Sequence, residues 1–185
     1  MISGPGGVGK GTVVAALRVR RPDLTVSVSA TTRPARSGEV SGVHYHFIDR
    51  PTFRHMVAAE EFLEWAEFNG NLYGTPWSSL SAAVADGGRV LLEIDVQGAR
   101  QVRERADRVG DITATLVFLE PPSWDVLEQR LRRRGSEDDR SIEARLRIGR
   151  QEMAAADWFD HRIVNDRVDA AVVAVEHILA GTPHA

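Results

Sequence analysis

Cysteine occurs nowhere in the 185 residues, which removes disulfides, thiolate metal sites and thiol nucleophiles at once. Excess positive charge is missing as well. Lys+Arg number 23 against 26 Asp+Glu, a net charge of -3, so no overall basic field draws the chain to nucleic acid. No apolar run approaches the roughly 20 residues of a membrane span, and no signal-peptide pattern opens the chain. A cytoplasmic protein without membrane association is the expectation. Internal repeats and low-complexity tracts are also lacking. What is left, 43% apolar and 26% charged residues, is the composition of an ordinary soluble domain, long enough for one core and a small inserted lobe.

Glycine, by contrast, is concentrated near the start. Ser3-Gly4-Pro5-Gly6-Gly7-Val8-Gly9-Lys10-Gly11-Thr12 runs directly into Val13-Val14-Ala15-Ala16-Leu17. A glycine-rich loop that ends in lysine and opens a helix is a phosphate cradle: the backbone turns with positive φ and comes close to a polyanion. The bound charge then rests on free N–H groups at the helix N-terminus. Gly4, Pro5, Gly6, Gly7, Val8, Gly9 and Lys10 fit G-x-x-x-x-G-K, with Lys10 placed to reach the β and γ phosphates of a nucleotide. Two things are lacking from the pattern. Gly11 stands where Ser or Thr is usual, the hydroxyl arriving one residue later at Thr12. Only Met1-Ile2-Ser3 precede the loop, where a buried strand of about five residues is normal; either the strand is very short or the natural chain begins earlier.

Periodicity predicts a helix from the loop to about Arg21, then a strand over Thr25 to Ser29 with period-two alternation and a polar loop over Ala30 to Glu39. A short strand over Tyr45 to Ile48, a helix from Thr52 to Glu60 capped by Thr52, and a strand over Phe62 to Phe68 turning at Asn69-Gly70 follow. Trp77 to Asp86 reads as a helix stopped by Gly87-Gly88. Val90 to Asp95 is a nearly continuous apolar run carrying Glu93 and Asp95, the pattern of a central parallel strand whose carboxyl end meets ligand. Thr115 to Leu119 is a second such run. Helices are expected over Trp124 to Arg134, with Ser123 as cap, from near Ser141, and over Asp169 to Leu179, with a last strand at Arg162 to Asn165. The economical fold is an α/β parallel-sheet core of residues 1–32 and 87–185, interrupted by a strand-rich lobe of residues 33–86.

Arginines are grouped twice. Arg33 and Arg36, with Tyr45 and Tyr73, suit a clamp on a second phosphate through guanidinium and phenol donors; the plainer reading is a solvated loop. Arg130, Arg132, Arg133 and Arg134 precede the polar stretch Gly135 to Arg140, with Arg145 beyond it. Such a cluster is either a solvated helix face or a lid of about residues 130–146 that closes over transferring phosphate. His44 and His46, alternating on a strand, read as a surface pair, and Trp65, Trp77, Trp124 and Trp158 as core or lobe packing.

These blocks, with Gly42-Val43-His44-Tyr45-His46-Phe47, Phe62-Leu63-Glu64-Trp65-Ala66, Tyr73-Gly74-Thr75, Glu93-Ile94-Asp95-Val96-Gln97-Gly98, Pro121-Pro122-Ser123 and Ile163-Val164-Asn165-Asp166, resemble the guanylate kinase family over essentially the whole chain. The resemblance implies a P-loop NTPase-type parallel sheet flanked by helices, a small GMP-binding lobe and a helical lid. It also implies ATP-dependent phosphorylation of GMP, and of dGMP, with magnesium. Residues implied for GMP are Ser29, Arg33, Arg36, Glu39, Tyr45, Glu64, Tyr73, Thr75 and Glu93, the carboxylates accepting from guanine N1–H and N2–H₂. Those implied for ATP are Gly4 to Thr12 with Arg130 and Asn165, and Lys10, Arg36, Arg134 and Arg145 meet the transferring phosphoryl group. Magnesium is expected to be held mostly by water, with Thr12 and Asp95 as protein contacts. Partners are then ATP and GMP, in a monomer or homodimer. The alternative is a non-catalytic interaction module of the same fold; such modules typically lose the nucleotide loop and lid arginines, which this chain keeps.

Overall fold

The computed structural model describes residues 1–68, 70–85, 87–133 and 139–181, with the backbone alone for residues 82 and 139–141. In chain order the elements are β1 (Ile2–Ser3), α1 (Lys10–Arg20), β2 (Thr25–Val26), β3 (Ala30–Thr31), β4 (His46–Phe47), α2 (Arg50–Ala58), β5 (Phe62–Phe68) and β6 (Asn71–Pro76). After a 3₁₀ turn at Trp77–Ser79 come α3 (Ser81–Ala85), β7 (Val90–Leu91), α4 (Val96–Val109), β8 (Val117–Glu120), α5 (Trp124–Arg133), α6 (Asp139–Met153), β9 (His161–Val164) and α7 (Val168–Gly181). The chain divides into two compact units, Met1–Asp23, Glu93–Val96 and Thr115–Ala185 in one, Leu24–Leu92 and Gln97–Ala114 in the other. Residues 33–86 fall wholly within the second.

The first unit is built on a parallel sheet of order β1-β8-β9, with Ile2 opposite Val117 and Val117 opposite His161. Ile2 also bridges Glu93 in parallel, and Ile94 N–H donates to Ile2 O at 3.2 Å. The strand before the glycine loop is thus two residues long. Its shortness is offset by burial on both sides, since Ile2, Leu116, Phe118 and Leu119 are fully buried, as an all-parallel sheet requires. α1 forms because Val13, Val14 and Leu17 make one buried stripe, which with Ala171, Val172 and Val175 of α7 belongs to the core. The two helices pack together and are joined at the surface by a bidentate Arg20–Glu176 pair.

The second unit holds the parallel pair β2-β7 and a sheet of order β4-β3-β6-β5, antiparallel except for β3 and β4. Phe53 of α2 stacks on Phe62 of β5 at 4.4 Å between ring centroids, within a cluster that includes Ala30 and Leu72.

Several expectations needed correction. The strand expected over Thr25 to Ser29 stops at Val26, where Thr25–Val26 pairs with β7, and Ala30–Thr31, expected as loop, is a strand of the other sheet. The helix expected at Thr52 begins at Arg50, because the Asp49 carboxylate, not Thr52, is the cap and accepts the Thr52 N–H at 2.8 Å. Trp77 opens a 3₁₀ turn rather than a continuous helix; Asp86, its expected end, and Asn69 of the expected turn lie outside the described residues. α4 was not anticipated. Its sequence carries Arg100, Arg103, Glu104, Arg105, Asp107 and Arg108 on a thin apolar stripe of Val96, Ala99 and Val102, all buried. Trp65 is 40% exposed rather than packed in the lobe. Trp77 and Trp124 are half-buried under the guanidinium groups of Arg105 and Arg150, and His44 and His46 are both exposed. Among the described residues no helix is long and apolar enough to cross a membrane.

Candidate active site

The glycine loop of the first unit leaves β1 and enters α1 with Gly9 at φ 102°, a left-handed conformation that side chains rarely adopt. Space is closed there too: a Cβ on Gly9 would meet Asn165 Nδ2 at 2.7 Å. Asn165 Nδ2 donates to Val8 O at 2.8 Å, and Arg130 donates to Val8 O at 3.1 Å and to Asn165 O at 3.0 Å. Both side chains expected to meet ATP therefore hold the loop at Val8. Asn165 Oδ1 is buried with no hydrogen-bond partner.

Lys10 folds back on its own loop, Nζ donating to Gly4 O at 2.5 Å and more weakly to Pro5 O at 3.5 Å. A bound polyphosphate would exchange these carbonyls for anionic oxygens, which make stronger bonds. Gly11 and Thr12 are exposed on the first turn of α1. A Cβ on Gly11 would lie 3.5 Å from both carboxylate oxygens of Glu93. Thr12, Glu93 and Asp95 thus offer oxygen alone, the donor class that a hard divalent cation takes. Among the described residues no group of three or more His, Asp or Glu is gathered as a metal site.

Beneath the loop lies a residue that the sequence did not reveal. Glu152 of α6 is 8% exposed, accepts from the Gly6 N–H and leaves Oε2 without a partner. Burial pushes its carboxyl up to about 7, with Lys10 pulling the other way and Asp95 adding to the rise. A signal was present: Ile142, Gly149 and Glu152 fall on one helical stripe, and all three are buried. A carboxylate on the buried stripe of a helix calls for a polar partner at that depth. Arg145, half-buried, lies on α6 seven residues, about two turns, before it.

In the second unit, Arg33 and Glu39 form a bidentate pair with both N···O distances 2.9 Å. Glu39 also accepts the Arg36 N–H at 2.7 Å, so one carboxylate ties both arginines of the loop. Its pKa is held below the ordinary range, chiefly by the Arg33 guanidinium. Arg33 lies 5.5 Å from the Tyr45 ring and 5.6 Å from Phe47, and Tyr45 meets Tyr73 edge-on at 6.1 Å. The Arg36 side chain is exposed. One strand over, Glu64 and Thr75 are directly opposite in the β5–β6 ladder. Thr75 donates to Glu64 Oε1 at 2.6 Å, and Ser29 Oγ lies 3.2 Å from Thr75 Oγ1. Glu64 is 5% exposed, so this short polar line sits where an unpaired donor or acceptor is costly.

The guanylate kinase family model matches residues 1–182. The chain belongs to the guanylate kinase family. It is 46% identical to the guanylate kinase of Carboxydothermus hydrogenoformans over 97% of this chain and 85% of that one, and 52% identical to that of Thermobifida fusca over 91% and 83%. The crystal structure of guanylate kinase from Anaplasma phagocytophilum superposes with a TM-score of 0.76 at 33% identity, over 97% of this chain and 82% of that chain. The α/β fold with a parallel sheet, and the resemblance drawn from the motifs, stand on these matches.

Within this chain the expected residues fall into three groups. Gly4 to Thr12, Arg130 and Asn165 come together at the loop. Arg33, Glu39, Tyr45 and Tyr73 come together, with Arg36 joined through its backbone, and Ser29, Glu64 and Thr75 form the hydrogen-bonded line. Glu93 belongs to the unit of the loop, beside Gly11, and not to the unit holding Glu64. Arg134 lies outside the described residues, as do residues 135–138 of the expected lid.

Proposed function

We propose that the protein transfers the γ-phosphoryl group of ATP to GMP, and to dGMP, giving ADP and GDP or dGDP. The observation that carries this reading is the pairing, in one unit, of an anion clamp with a buried base-reading line: Arg33–Glu39 with Tyr45 and Tyr73 beside Glu64–Thr75–Ser29. The clamp fits the acceptor phosphate. The carboxylate of Glu64 accepts from guanine N1–H and N2–H₂, which adenine does not present, and a site built for such donors rejects bases lacking them by about 10⁴-fold or more.

In the transfer, a phosphate oxygen of GMP forms a bond to the γ-phosphorus as the bond to the β,γ-bridging oxygen breaks, and ADP leaves with that electron pair. No general base is required; positioning and charge stabilisation supply the catalysis. Lys10, released from Gly4 and Pro5, follows the β and γ oxygens. Arg36, Arg134 and Arg145 neutralise charge on the group in flight, while Arg130 and Asn165 act on ATP through the loop whose Val8 carbonyl they hold. Magnesium, when bound, neutralises the β and γ oxygens. Thr12 and Asp95 would hold it through water. Glu93 joins guanine reading when both nucleotides are present. Residues 33–86 are the acceptor lobe in this scheme, and a cytoplasmic location matches the supply of both nucleotides.

A coupled assay for nucleoside diphosphate formation with GMP, dGMP, AMP, CMP and UMP as acceptors tests the reading. Turnover of GMP and dGMP above the others by about 10⁴-fold is expected. Activity confined to AMP or a pyrimidine nucleotide would overturn the guanine assignment, and no phosphoryl transfer to any of them would favour the interaction module.

A further inference from the structure

Gly98 is out of place by the ordinary rules of helices. It lies in the first turn of α4 without a positive φ, so the backbone makes no demand for glycine, which in a helix costs about 1 kcal/mol relative to alanine. What the position demands is room. A Cβ built on Gly98 would lie 2.9 Å from Glu64 Cδ and closer still to Glu64 Oε2. The neighbour is the far end of a side chain, so a residue at position 98 displaces the Glu64 carboxylate rather than the helix.

α4 has no freedom to retreat. Three residues after Gly98, Gln101 grips β5 in both directions, Oε1 accepting the Trp65 N–H at 3.1 Å and Nε2 donating to Trp65 O at 2.6 Å. Val96, Ala99 and Val102 are buried around it. On its other side the carboxylate is held by the Thr75 hydroxyl at 2.6 Å. The carboxylate is thus set between a hydroxyl of β6 and a bare helix turn.

We propose that Gly98 is a specificity-determining residue: its missing side chain leaves the one space in which the Glu64 carboxylate lies where it can pair with guanine. This rests on the assignment of Glu64 to guanine reading made above. Gly98 acts through Glu64 and is a positioning residue. Its substitution therefore affects acceptor choice and leaves ATP binding alone.

The test is a thermodynamic cycle in the full-length enzyme, with kcat and KM measured for GMP, IMP and ATP in Gly98→Ala, Glu64→Asp and the double variant, and with Glu64→Gln as the reference. A misplacement of about 1 Å costs on the order of 10²-fold. Gly98→Ala is accordingly expected to lower kcat/KM for GMP by about that factor, mostly through KM, with the GMP-over-IMP preference reduced and the KM for ATP kept. In the Glu64→Asp background, where the carboxylate is one methylene shorter, Gly98→Ala is expected to cost little, so the two effects are not additive. Additive effects, or a Gly98→Ala enzyme with parental GMP kinetics while Glu64→Gln is impaired, overturn the role of Gly98. Parental GMP kinetics in Glu64→Gln overturn instead the guanine-reading assignment and the inference built on it.

Discussion

At the scale of the residue, the loop unit carries one side chain under stress. Glu152 is buried beneath the nucleotide loop with Oε2 unpartnered, and its carboxyl is raised from 4.5 to about 7. The folded protein therefore holds a proton here that the unfolded chain releases. The associated stability is fully present below pH 4.5 and is lost as pH rises through 7. Over that interval the loss is about 3 kcal/mol at 1.36 kcal/mol per pH unit. Glu152→Gln removes the titration, so the variant should melt higher than the parent at pH 8 while the gap closes by pH 5, as read in paired urea and thermal melts. A variant less stable than the parent at pH 8 would mean that Lys10 holds Glu152 as a stabilising anion. The ion pair of the second unit is better matched: Arg33 and Glu39 meet in a bidentate geometry.

At the scale of the element, boundaries were decided by polar details that hydrophobic periodicity does not encode. α2 was legible as a helix from its apolar positions, but its start was set by Asp49, whose side chain takes the Thr52 N–H, with Pro51 in the first turn. Asp49→Ala should lower stability through loss of the cap, measurable as a fall in the urea midpoint; Thr52→Ala should have the smaller effect, and the reverse order would restore Thr52 as the cap. α4 was illegible for a related reason. Its buried face is three small or branched residues wide, and its contact with β5 is a pair of hydrogen bonds from Gln101 to the Trp65 backbone. Gln101 and Gly98 look unremarkable in a one-dimensional pattern, since the strand they face is some 30 residues earlier in the chain.

At the scale of the whole molecule, the glycine loop and the Arg33–Glu39 pair, proposed as donor and acceptor sites, belong to different compact units. Binding of GMP should therefore be separable from turnover. Lys10→Ala should lower kcat by about 10²-fold or more, as loss of a group that meets developing charge does, yet GMP should raise the Tm of the variant and of the parent by the same amount, following the mass-action law for a native-state ligand. Loss of the GMP-induced shift in Lys10→Ala would show that the units do not bind independently. The loop, the arginines and the family resemblance needed only the sequence, because a phosphate cradle is made from consecutive residues whose spacing is itself the chemistry. The strand–helix alternation was likewise readable wherever apolar runs or helical stripes were strong, as in β8 and α7. Tertiary structure alone decided which polar side chains face which: that Arg130 and Asn165 hold Val8, that Glu152 lies under Gly6, and that Gly98 makes room for Glu64. Each of these contacts joins residues more than 30 positions apart, and a hydrogen bond or a steric limit between them leaves no periodic trace in the sequence.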